Sequence, residues 1–309
     1  MSKIRLHKRI NDLVLEKGLE FTKPEVQANI EKYGVKIDTN LIYNRLEWAY
    51  SAEEVDISHW PQREKGDFDK IRTVLEKEDF LVIYKPQNVV VEPGAGHTKD
   101  NLLEWLKQTY GQEFFLVHRI DKDTQGLLLI AKTLEGQKFY QDQFRAKTVQ
   151  KKYLAVVNGI LDGNLIVKNW QSRDKINPTK QRLFWTEKEA LQYDPNSRYA
   201  ESIFRPRINC KELNQTLVEV EIKTGRMHQI RLQAENLGYW LVADKIYNVE
   251  HSSNPELTSK TFKVVKDLSA LDFASEKIKL FGDTDYCLLS NFIKFESKSK
   301  RTIEVELFE

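Results

Sequence analysis

Residues 118–132 read HRIDKDTQGLLLIAK, and the interpretation of the whole chain starts from this stretch. The apolar run LLLIA follows a glycine directly and predicts a buried strand or core segment. Asp121 lies just before it, with Arg119 two positions away. The charge of a guanidinium offsets the desolvation of a nearby carboxylate and keeps it ionised, which suits a nucleophile. The alternative interpretation is a structural ion pair, in which Asp121 and Asp123 cap the strand with Arg119.

The composition is that of an ordinary soluble globular protein, with 40% hydrophobic and 30% charged residues. A chain of 309 residues has room for two domains, one of them with a large core. The formal net charge of only +2 excludes a uniformly basic, histone-like binder of nucleic acid. Any contact with nucleic acid must therefore depend on local basic patches.

Several other classes of site are not indicated. Cys210 and Cys287 are far apart and belong to no metal-binding pattern, so we expect neither a disulfide framework nor a metal site. No glycine-rich phosphate loop is recognisable, so we expect no nucleotide cofactor. The N-terminus lacks the unbroken apolar stretch of a signal peptide, and no segment reaches the length of a membrane span. We therefore expect a cytoplasmic protein in a reduced compartment, without a membrane partner.

The first 58 residues predict a small domain of two helices followed by strands. One face of residues 5–18 is apolar and predicts an amphipathic helix. Its apolar residues are Leu6, Ile10, Leu13 and Val14. A second helix is expected to end near Gly34, and residues 45–57 predict a hairpin-like pair of strands.

The domain boundaries follow from the composition. Residues 59–72 are polar, contain a proline and a glycine, and predict a linker between a domain of residues 1–58 and one of residues 73–309. In the second domain, strand-like stretches are joined partly by tight turns and partly by helices. This mixture predicts the α+β class, with a mixed, largely antiparallel sheet and flanking helices.

Two further stretches carry residue types that suit RNA chemistry. In FRAKTVQKKYLAVVNG, residues 144–159, Lys151 could hold a phosphate while Tyr153 stacks on a base. TGRMHQIR places its final arginine, Arg231, about one helical turn from His228. Either stretch could instead be structural, the first as a solvated strand edge with a half-buried tyrosine and the second as the start of a helix.

Together these stretches resemble the ribosomal large-subunit pseudouridine synthase A family. The pattern His-Arg-Leu-Asp-x-x-Thr-Ser-Gly-Leu-Leu is matched from His118, with Ile120 for leucine and Gln125 for serine. Lys-x-Tyr-x-Ala-x-Val-x-Gly is matched from Lys151, and Thr-Gly-Arg-x-His-Gln-Ile-Arg from Thr224. Three motifs in the right order make this resemblance specific.

Weaker matches accompany these motifs. YKPQN, residues 84–88, resembles the family's Lys-Pro-x-Gly, with Lys85 as a structural or substrate-edge contact. Asn88 replaces the glycine, and asparagine tolerates a positive φ better than most residues. The family's Gly-Asp-x-x-Tyr-Gly corresponds to Ala243, Asp244, Tyr247 and Asn248. The first 58 residues resemble the small RNA-binding domain first described in the fourth protein of the small ribosomal subunit.

The resemblance implies an RNA pseudouridine synthase, an isomerase that rejoins uracil to its ribose through a ring carbon in rRNA or tRNA, without a cofactor. It implies that Asp121 is the nucleophile, that Tyr153 packs against the target base and that Arg231 pairs with Asp121. The target uridine must first leave its stack, and Arg119 is expected to enter the gap. The other residues expected to bind RNA are His118, Lys151, Arg226 and His228. Asp121 either attacks the anomeric carbon or adds to the ring, and the sequence does not separate these routes.

Two other functions are weighed against this one. A catalytically inactive RNA-binding protein with the same fold would depend on its N-terminal domain, but the intact Asp121, Tyr153 and Arg231 argue against it. A hydrolase with Asp121 and Asp123 as a carboxylate pair is disfavoured, because glycosidases place their two acids on opposite sides of the sugar. A monomer is the default expectation.

Overall fold

A computed structural model gives the fold of the chain. It describes residues 3–16, 21, 23–38, 40–50, 55–60, 66–93, 100–177, 179–247, 266–267, 270–282 and 286–308. These residues form a small N-terminal unit and a larger domain built on one extended sheet. The predicted α+β class is confirmed.

The N-terminal unit combines two helices with short strands. In chain order its elements are β1 (Lys3–Arg5), α1 (Leu6–Glu16), α2 (Lys23–Tyr33), β2 (Val35–Ile37), β3 (Asn40–Ile42), β4 (Trp48–Tyr50) and β5 (Val55–Asp56). Strands β1 and β4 form one antiparallel pair, and β3, β2 and β5 form a second antiparallel sheet in that order. The predicted apolar face of α1 is buried in the core of this unit.

The prediction of a hairpin in residues 45–57 is wrong as far as the described residues show. β4 pairs with β1, and β5 pairs with β2. A two-stranded hairpin alone is marginally stable in water, whereas this arrangement buries Ala49 and Val55 in the same core as the two helices. Trp60 extends the unit into the predicted linker, because its side chain is buried and its indole N–H donates to the carbonyl of Gly34 at 2.6 Å.

The larger domain contains the remaining strands and five longer helices within the described residues. Its strands are β6 (Arg72–Glu76), β7 (Phe80–Lys85), β8 (Phe115–Leu116), β9 (Gln125–Ala131), β10 (Gln150–Asn158), β11 (Leu165–Arg173), β12 (Gln181–Phe184), β13 (Arg198–Cys210), β14 (Gln215–Ile222), β15 (Lys266–Asp267), β16 (Leu288–Glu296) and β17 (Thr302–Glu306). Its helices are α3 (Leu102–Tyr110), α4 (Leu134–Arg145), α5 (Glu187–Tyr193), α6 (Gln229–Asn236) and α7 (Ala270–Phe281). A short 3₁₀ turn over Phe68–Lys70 precedes β6.

The sheet of this domain is mixed and largely antiparallel, as predicted. Its order is β12-β11-β13-β14-β10-β16-β9-β7-β6, with β15 added to β13, β17 to β16 and β8 to β9. Only the β9–β16 and β13–β15 pairs are parallel among the strands described. The C-terminal strands β16 and β17 form an antiparallel pair.

Strand β9 is buried on both faces, which explains its unbroken apolar sequence. On one face Leu129 belongs to the same core cluster as Tyr140 of α4. On the other face Leu128 shares a cluster with Leu106 of α3. Covering helices therefore hold the strand at the centre of the domain and fix the loop that precedes it.

Strand β10 is packed in the same way. Ala155 shares a core cluster with Ile230 of α6, and Leu154 shares one with Phe273 of α7. Tyr153 belongs to the α6 cluster, although its sequence neighbour Leu154 does not. The tyrosine of the second motif is thereby placed against the helix that carries the third.

Candidate active site

Asp121 lies in the loop between β8 and β9, where its side chain is 22% exposed. The amide N–H of Thr124 donates to the carbonyl oxygen of Asp121 at 3.1 Å and closes a turn. Ile120, on the other side, is buried in the cluster beneath α3. Because its neighbours are fixed by packing and by this turn, the Asp121 carboxylate is presented from a rigid loop.

Lys85 anchors this loop from inside the protein. Its fully buried ammonium group donates to the carbonyl oxygen of Lys122 at 2.9 Å and to those of Pro86 and Val89. Burial lowers the pKa of Lys85 to about 7. Asn88 has a φ of +60°, as expected for the residue that replaces glycine. Of the two roles considered for Lys85, the structure gives it the structural one.

The glycine of the first motif is required by the approach of two strands. Gly126 pairs with Ser290 where β9 meets β16, and it has a φ of +109°. A Cβ atom on Gly126 would lie 2.3 Å from the carbonyl oxygen of Ser290. Ser290 pairs on its other side with Tyr153 of β10. The close approach at Gly126 therefore brings the first and second motifs together.

Helix α6 brings the third motif to Asp121. Arg231 places its Nη1 3.6 Å from Oδ2 of Asp121, and the Nε2 of His228 is 3.8 Å from the same oxygen. Both side chains are largely buried, whereas the carboxylate is open to the solvent side. The predicted association of Arg231 with Asp121 is present in the structure.

The hydrogen bonds of Arg231 go to Asp244, a residue that matches the family pattern but for which no role was predicted. Nε and Nη2 of Arg231 donate to the two carboxylate oxygens of Asp244, each at 2.7 Å. Oδ1 of Asp244 also accepts from the backbone N–H groups of Ile246 and Tyr247. Burial would raise the pKa of Asp244, but the hydrogen bonds and charge of Arg231 hold it below its ordinary value.

Aromatic rings enclose the Arg231 guanidinium. Its carbon lies 5.4 Å from the ring centroid of Tyr247 and 5.5 Å from that of Tyr286, within the range of cation–π attraction. The hydroxyl of Tyr247 is 3.1 Å from Nδ1 of His228, which has a φ of +54° at the start of α6. Burial lowers the pKa of His228, so its ring is neutral at pH 7.

These residues border a cleft of about 640 Å³, which is within the usual range for small-ligand sites. Asp121 is the single carboxylate among the described residues that line it. Seven lysine and arginine side chains share the lining, namely Arg119, Arg145, Lys147, Lys151, Lys223, Arg226 and Arg231. The cleft therefore combines one acid with a strongly cationic wall.

Tyr153 and Lys151 both line the cleft from β10. Burial, reinforced by the charge of Asp121, raises the pKa of Tyr153, which stays a neutral phenol. Burial, together with the charge of Arg226, lowers the pKa of Lys151 to about 8. Gly225 gives the lysine its space, because a Cβ atom there would lie 3.2 Å from the ammonium nitrogen.

The predicted RNA-binding residues of the first motif have different surroundings. His118 stacks on Phe144 at 4.5 Å, and its Nε2 accepts from the backbone N–H of Leu129 at 3.1 Å. Burial lowers the pKa of His118 to about 3, so it supports β9 as a neutral ring rather than as a cation. Arg119 is exposed and pairs with Glu92 at 2.5 Å.

Arg226 of the third motif is tied to the sheet while it lines the cleft. Its Nε donates to the carbonyl oxygen of Tyr199 at 2.9 Å.

Asp123 is absent from the described lining, so the carboxylate pair required by the hydrolase interpretation does not form there. In the part of the chain that the structure describes, no cluster of three His, Cys, Asp or Glu residues could hold a metal ion. The helices of that part include none that could cross a membrane.

Three residues of the site, Asp244, Tyr247 and Tyr286, were not predicted to be functional. Asp244 and Tyr247 were visible as parts of a weak family match, which could have indicated a role. Tyr286 belongs to no motif, and its position beside Arg231 depends on the fold alone.

A basic cleft around one carboxylate, supported by a mixed sheet, is the kind of site expected in an enzyme that acts on a nucleic acid. The sequence profile described as RNA pseudouridylate synthase matches residues 79–236, just over half of the chain and all three motifs. The chain belongs to this family, and the predicted pseudouridine synthase, an isomerase, is confirmed.

Individual relatives agree with the family assignment. The chain is 28% identical over 305 residues to ribosomal large subunit pseudouridine synthase D of Borreliella burgdorferi, covering 92% of this chain and 89% of that protein. It is 31% identical over 237 residues to the protein of the same name from Nitrosomonas europaea, covering 74% and 65%. The structure of human RNA pseudouridylate synthase domain containing 1 has the same fold, with a TM-score of 0.56, 17% identity and coverage of 80% and 86%. None of these findings tests the resemblance of the first 58 residues to the small-subunit protein's domain, which stays a prediction.

Proposed function

We propose that the chain converts uridine to pseudouridine in the RNA of the large ribosomal subunit, with Asp121 as the reacting group. The observation that carries this proposal is the position of Asp121 as the single carboxylate in the described lining of a cationic cleft. Positive side chains in such numbers suit a phosphate backbone, and one carboxylate among them suits attack on a sugar. The names of the relatives support ribosomal RNA as the substrate class.

In the proposed reaction the target uridine leaves its stack and enters the cleft. An oxygen of Asp121 forms a bond to C1′ of the ribose, while the C1′–N1 bond breaks and its electron pair goes to the uracil. The ring then turns until C5 faces C1′. C5 bonds to C1′, the Asp121 carboxylate departs, C5 loses a proton and N1 gains one. All atoms of the uridine are retained apart from exchange of this proton.

The neighbouring residues have complementary roles in this proposal. Tyr153, a neutral and nearly buried phenol, forms the wall against which the uracil ring turns. Arg231 holds the Asp121 carboxylate toward the cleft, and His228 supports Arg231 through Tyr247.

The RNA backbone is bound at the rim of the cleft. Lys151 and Arg226 face it from β10 and from the segment before α6, where they can contact phosphates. Arg119 is exposed, and among the described residues its one ion pair is a surface pair with Glu92, which is weak. It can therefore leave Glu92 and fill the gap that the extruded base leaves in the RNA.

The test measures pseudouridine formed by the full-length chain on transcripts of large-subunit rRNA, small-subunit rRNA and tRNA. Liquid chromatography of the nucleosides, which separates the two isomers of equal mass, gives the yield, and primer extension after carbodiimide treatment gives the position. We expect product on the large-subunit rRNA, none with Asp121→Asn, and normal product with Asp123→Asn as the matched control. Product on tRNA alone would overturn the substrate class, and equal turnover by Asp121→Asn would overturn the role of Asp121.

The N-terminal unit contributes a second, weaker RNA contact in this proposal. Its resemblance to a ribosomal RNA-binding domain supports this role. Deleting residues 1–60 is expected to weaken RNA affinity modestly and to lower the slope of its salt dependence, measured by fluorescence anisotropy. An unchanged slope would place all phosphate contacts on the larger domain.

A further inference from the structure

The hydroxyl of Tyr286 is buried without a hydrogen-bond partner among the described residues. The residue as a whole is only 8% exposed. Buried polar groups in folded proteins nearly always have a partner, because an unpaired one loses its interactions with water and gains nothing. This hydroxyl therefore requires an explanation.

Tyr286 is fixed beside the candidate active site. Its carbonyl oxygen accepts a hydrogen bond from the side chain of Gln87 at 2.5 Å, and its ring packs in the same cluster as Tyr153. The Arg231 guanidinium lies 5.5 Å from the ring centroid. Burial raises the pKa of Tyr286 well above its ordinary value, and the nearby Asp121 carboxylate acts in the same direction. The hydroxyl is therefore a neutral donor within electrostatic reach of Asp121.

The Asp121 carboxylate, in turn, lacks a hydrogen-bond donor among the described residues. Its contacts with Arg231 and His228, at 3.6 and 3.8 Å, are longer than hydrogen bonds. Within the described part of the chain, no other group donates to it. An acceptor without a hydrogen-bond donor and a donor without an acceptor thus both lie beside Arg231.

We propose that Tyr286 is a positioning residue, which donates its hydroxyl hydrogen bond to the Asp121 carboxylate once a nucleotide occupies the cleft. One oxygen of Asp121 is then held by Tyr286 and Arg231, and the other faces the ribose. The Tyr286 hydroxyl therefore has no hydrogen-bond partner among the described residues of the free enzyme and gains one, the Asp121 carboxylate, in the complex with RNA. This inference rests on the proposed function, because it assigns Tyr286 to the reaction of Asp121.

The test compares Tyr286→Phe with the parent, using single-turnover kinetics on the RNA that the parent modifies. The substitution keeps the ring beside Arg231 and removes only the hydroxyl. We expect the rate constant of the bound complex to fall about 10- to 100-fold, as for other small losses of alignment. The Kd for RNA is expected to stay unchanged, and the Tm of the free enzyme to stay equal or rise.

Tyr239→Phe is the matched control. Tyr239 packs against the same apolar cluster but contacts the Gly159 end of β10, away from the cleft. Its hydroxyl can therefore be removed without effect on the rate, which controls for the loss of a phenol from this core.

The outcomes separate the two proposals. A parent enzyme that forms no pseudouridine overturns the proposed function. An active parent with an equally active Tyr286→Phe variant overturns the positioning role alone. A slower rate together with a lower Tm would mean that Tyr286 acts through packing. A weaker Kd for RNA with an unchanged rate would mean that Tyr286 contacts the substrate. Either result also overturns the inference.

Discussion

Arg231 donates two hydrogen bonds of 2.7 Å to Asp244, while its remaining Nη1 stays 3.6 Å from Asp121. The arginine is therefore held by one carboxylate and presented to another. Bidentate pairing fixes the plane of a guanidinium, so Asp244 determines where the charge lies. Asp121 receives that charge without being locked in a short ion pair, which leaves its oxygens available for reaction.

The first prediction concerns this buried pair. Asp244→Asn keeps the size of the side chain, but it removes the carboxylate that accepts two hydrogen bonds from Arg231, and its amide N–H₂ faces an N–H group of the arginine. Breaking one partner of such a pair typically costs about 3–5 kcal/mol. We expect this loss in the free energy of unfolding measured with urea, together with a strong loss of pseudouridine formation. Asp142→Asn, which removes an exposed pair with Arg145, serves as the control and should leave both quantities nearly unchanged. A stable Asp244→Asn variant would mean that Arg231 finds another partner.

The same pair predicts a pH dependence. The pKa of Asp244 is lower in the folded protein than its ordinary value of 3.8. Its ionised form therefore stabilises the protein above pH 3.8, and this contribution is lost as the pH falls through the folded pKa. Because asparagine does not titrate, the difference in Tm between the parent and Asp244→Asn should be constant near neutrality and shrink below pH 3.8. A difference that is independent of pH down to full acid unfolding would show that the charge of Asp244 does not stabilise the fold.

A third prediction tests the close approach of the paired strands β9 and β16 at Gly126. Gly126→Ala combines a φ of +109° with a Cβ atom 2.3 Å from the carbonyl oxygen of Ser290. Backbone strain and overpacking each cost roughly 1–3 kcal/mol, so a loss of about 3 kcal/mol or more is expected in urea unfolding. Gly111→Ala is the matched control, since its φ is +68° but nothing lies within 4 Å of the new Cβ. It should cost only about 1–2 kcal/mol. Equal losses would attribute the effect to φ alone.

The sequence predicted which motif residues lie together better than it predicted the interactions that orient them. Asp121, Tyr153 and Arg231 lie in motifs, and the structure brings all three to one cleft. The hydrogen-bond partner of Arg231 was not predicted, because Asp244 lies in a loop whose path depends on tertiary packing. Tyr286 could not have been found, since it gains its neighbours only when β16 passes beside β10.

The same distinction applies to the fold. The unbroken apolar sequence of β9 predicted a buried strand or core segment, and the structure shows a strand that is buried on both faces. The predicted apolar face of α1 was also correct. The expected hairpin in residues 45–57 was wrong, because alternating patterns identify strands but not their partners. His118 was predicted to bind RNA, and only the structure shows the backbone N–H of Leu129 that occupies its Nε2.

The last prediction concerns the cationic wall of the cleft. Lys151 lines the cleft, whereas its neighbour Lys152 lies near Glu219, at 3.8 Å, and is absent from the described lining. If Lys151 binds a phosphate, Lys151→Gln should weaken RNA binding and lower the slope of log affinity against log salt by about 0.7–0.9. Lys152→Gln should leave that slope unchanged. Since burial and the charge of Arg226 lower the pKa of Lys151 to about 8, the advantage of the parent over Lys151→Gln should decline as the pH rises above that value. Fluorescence anisotropy across salt and pH measures both effects, and identical slopes for the two variants would remove Lys151 from the phosphate contacts.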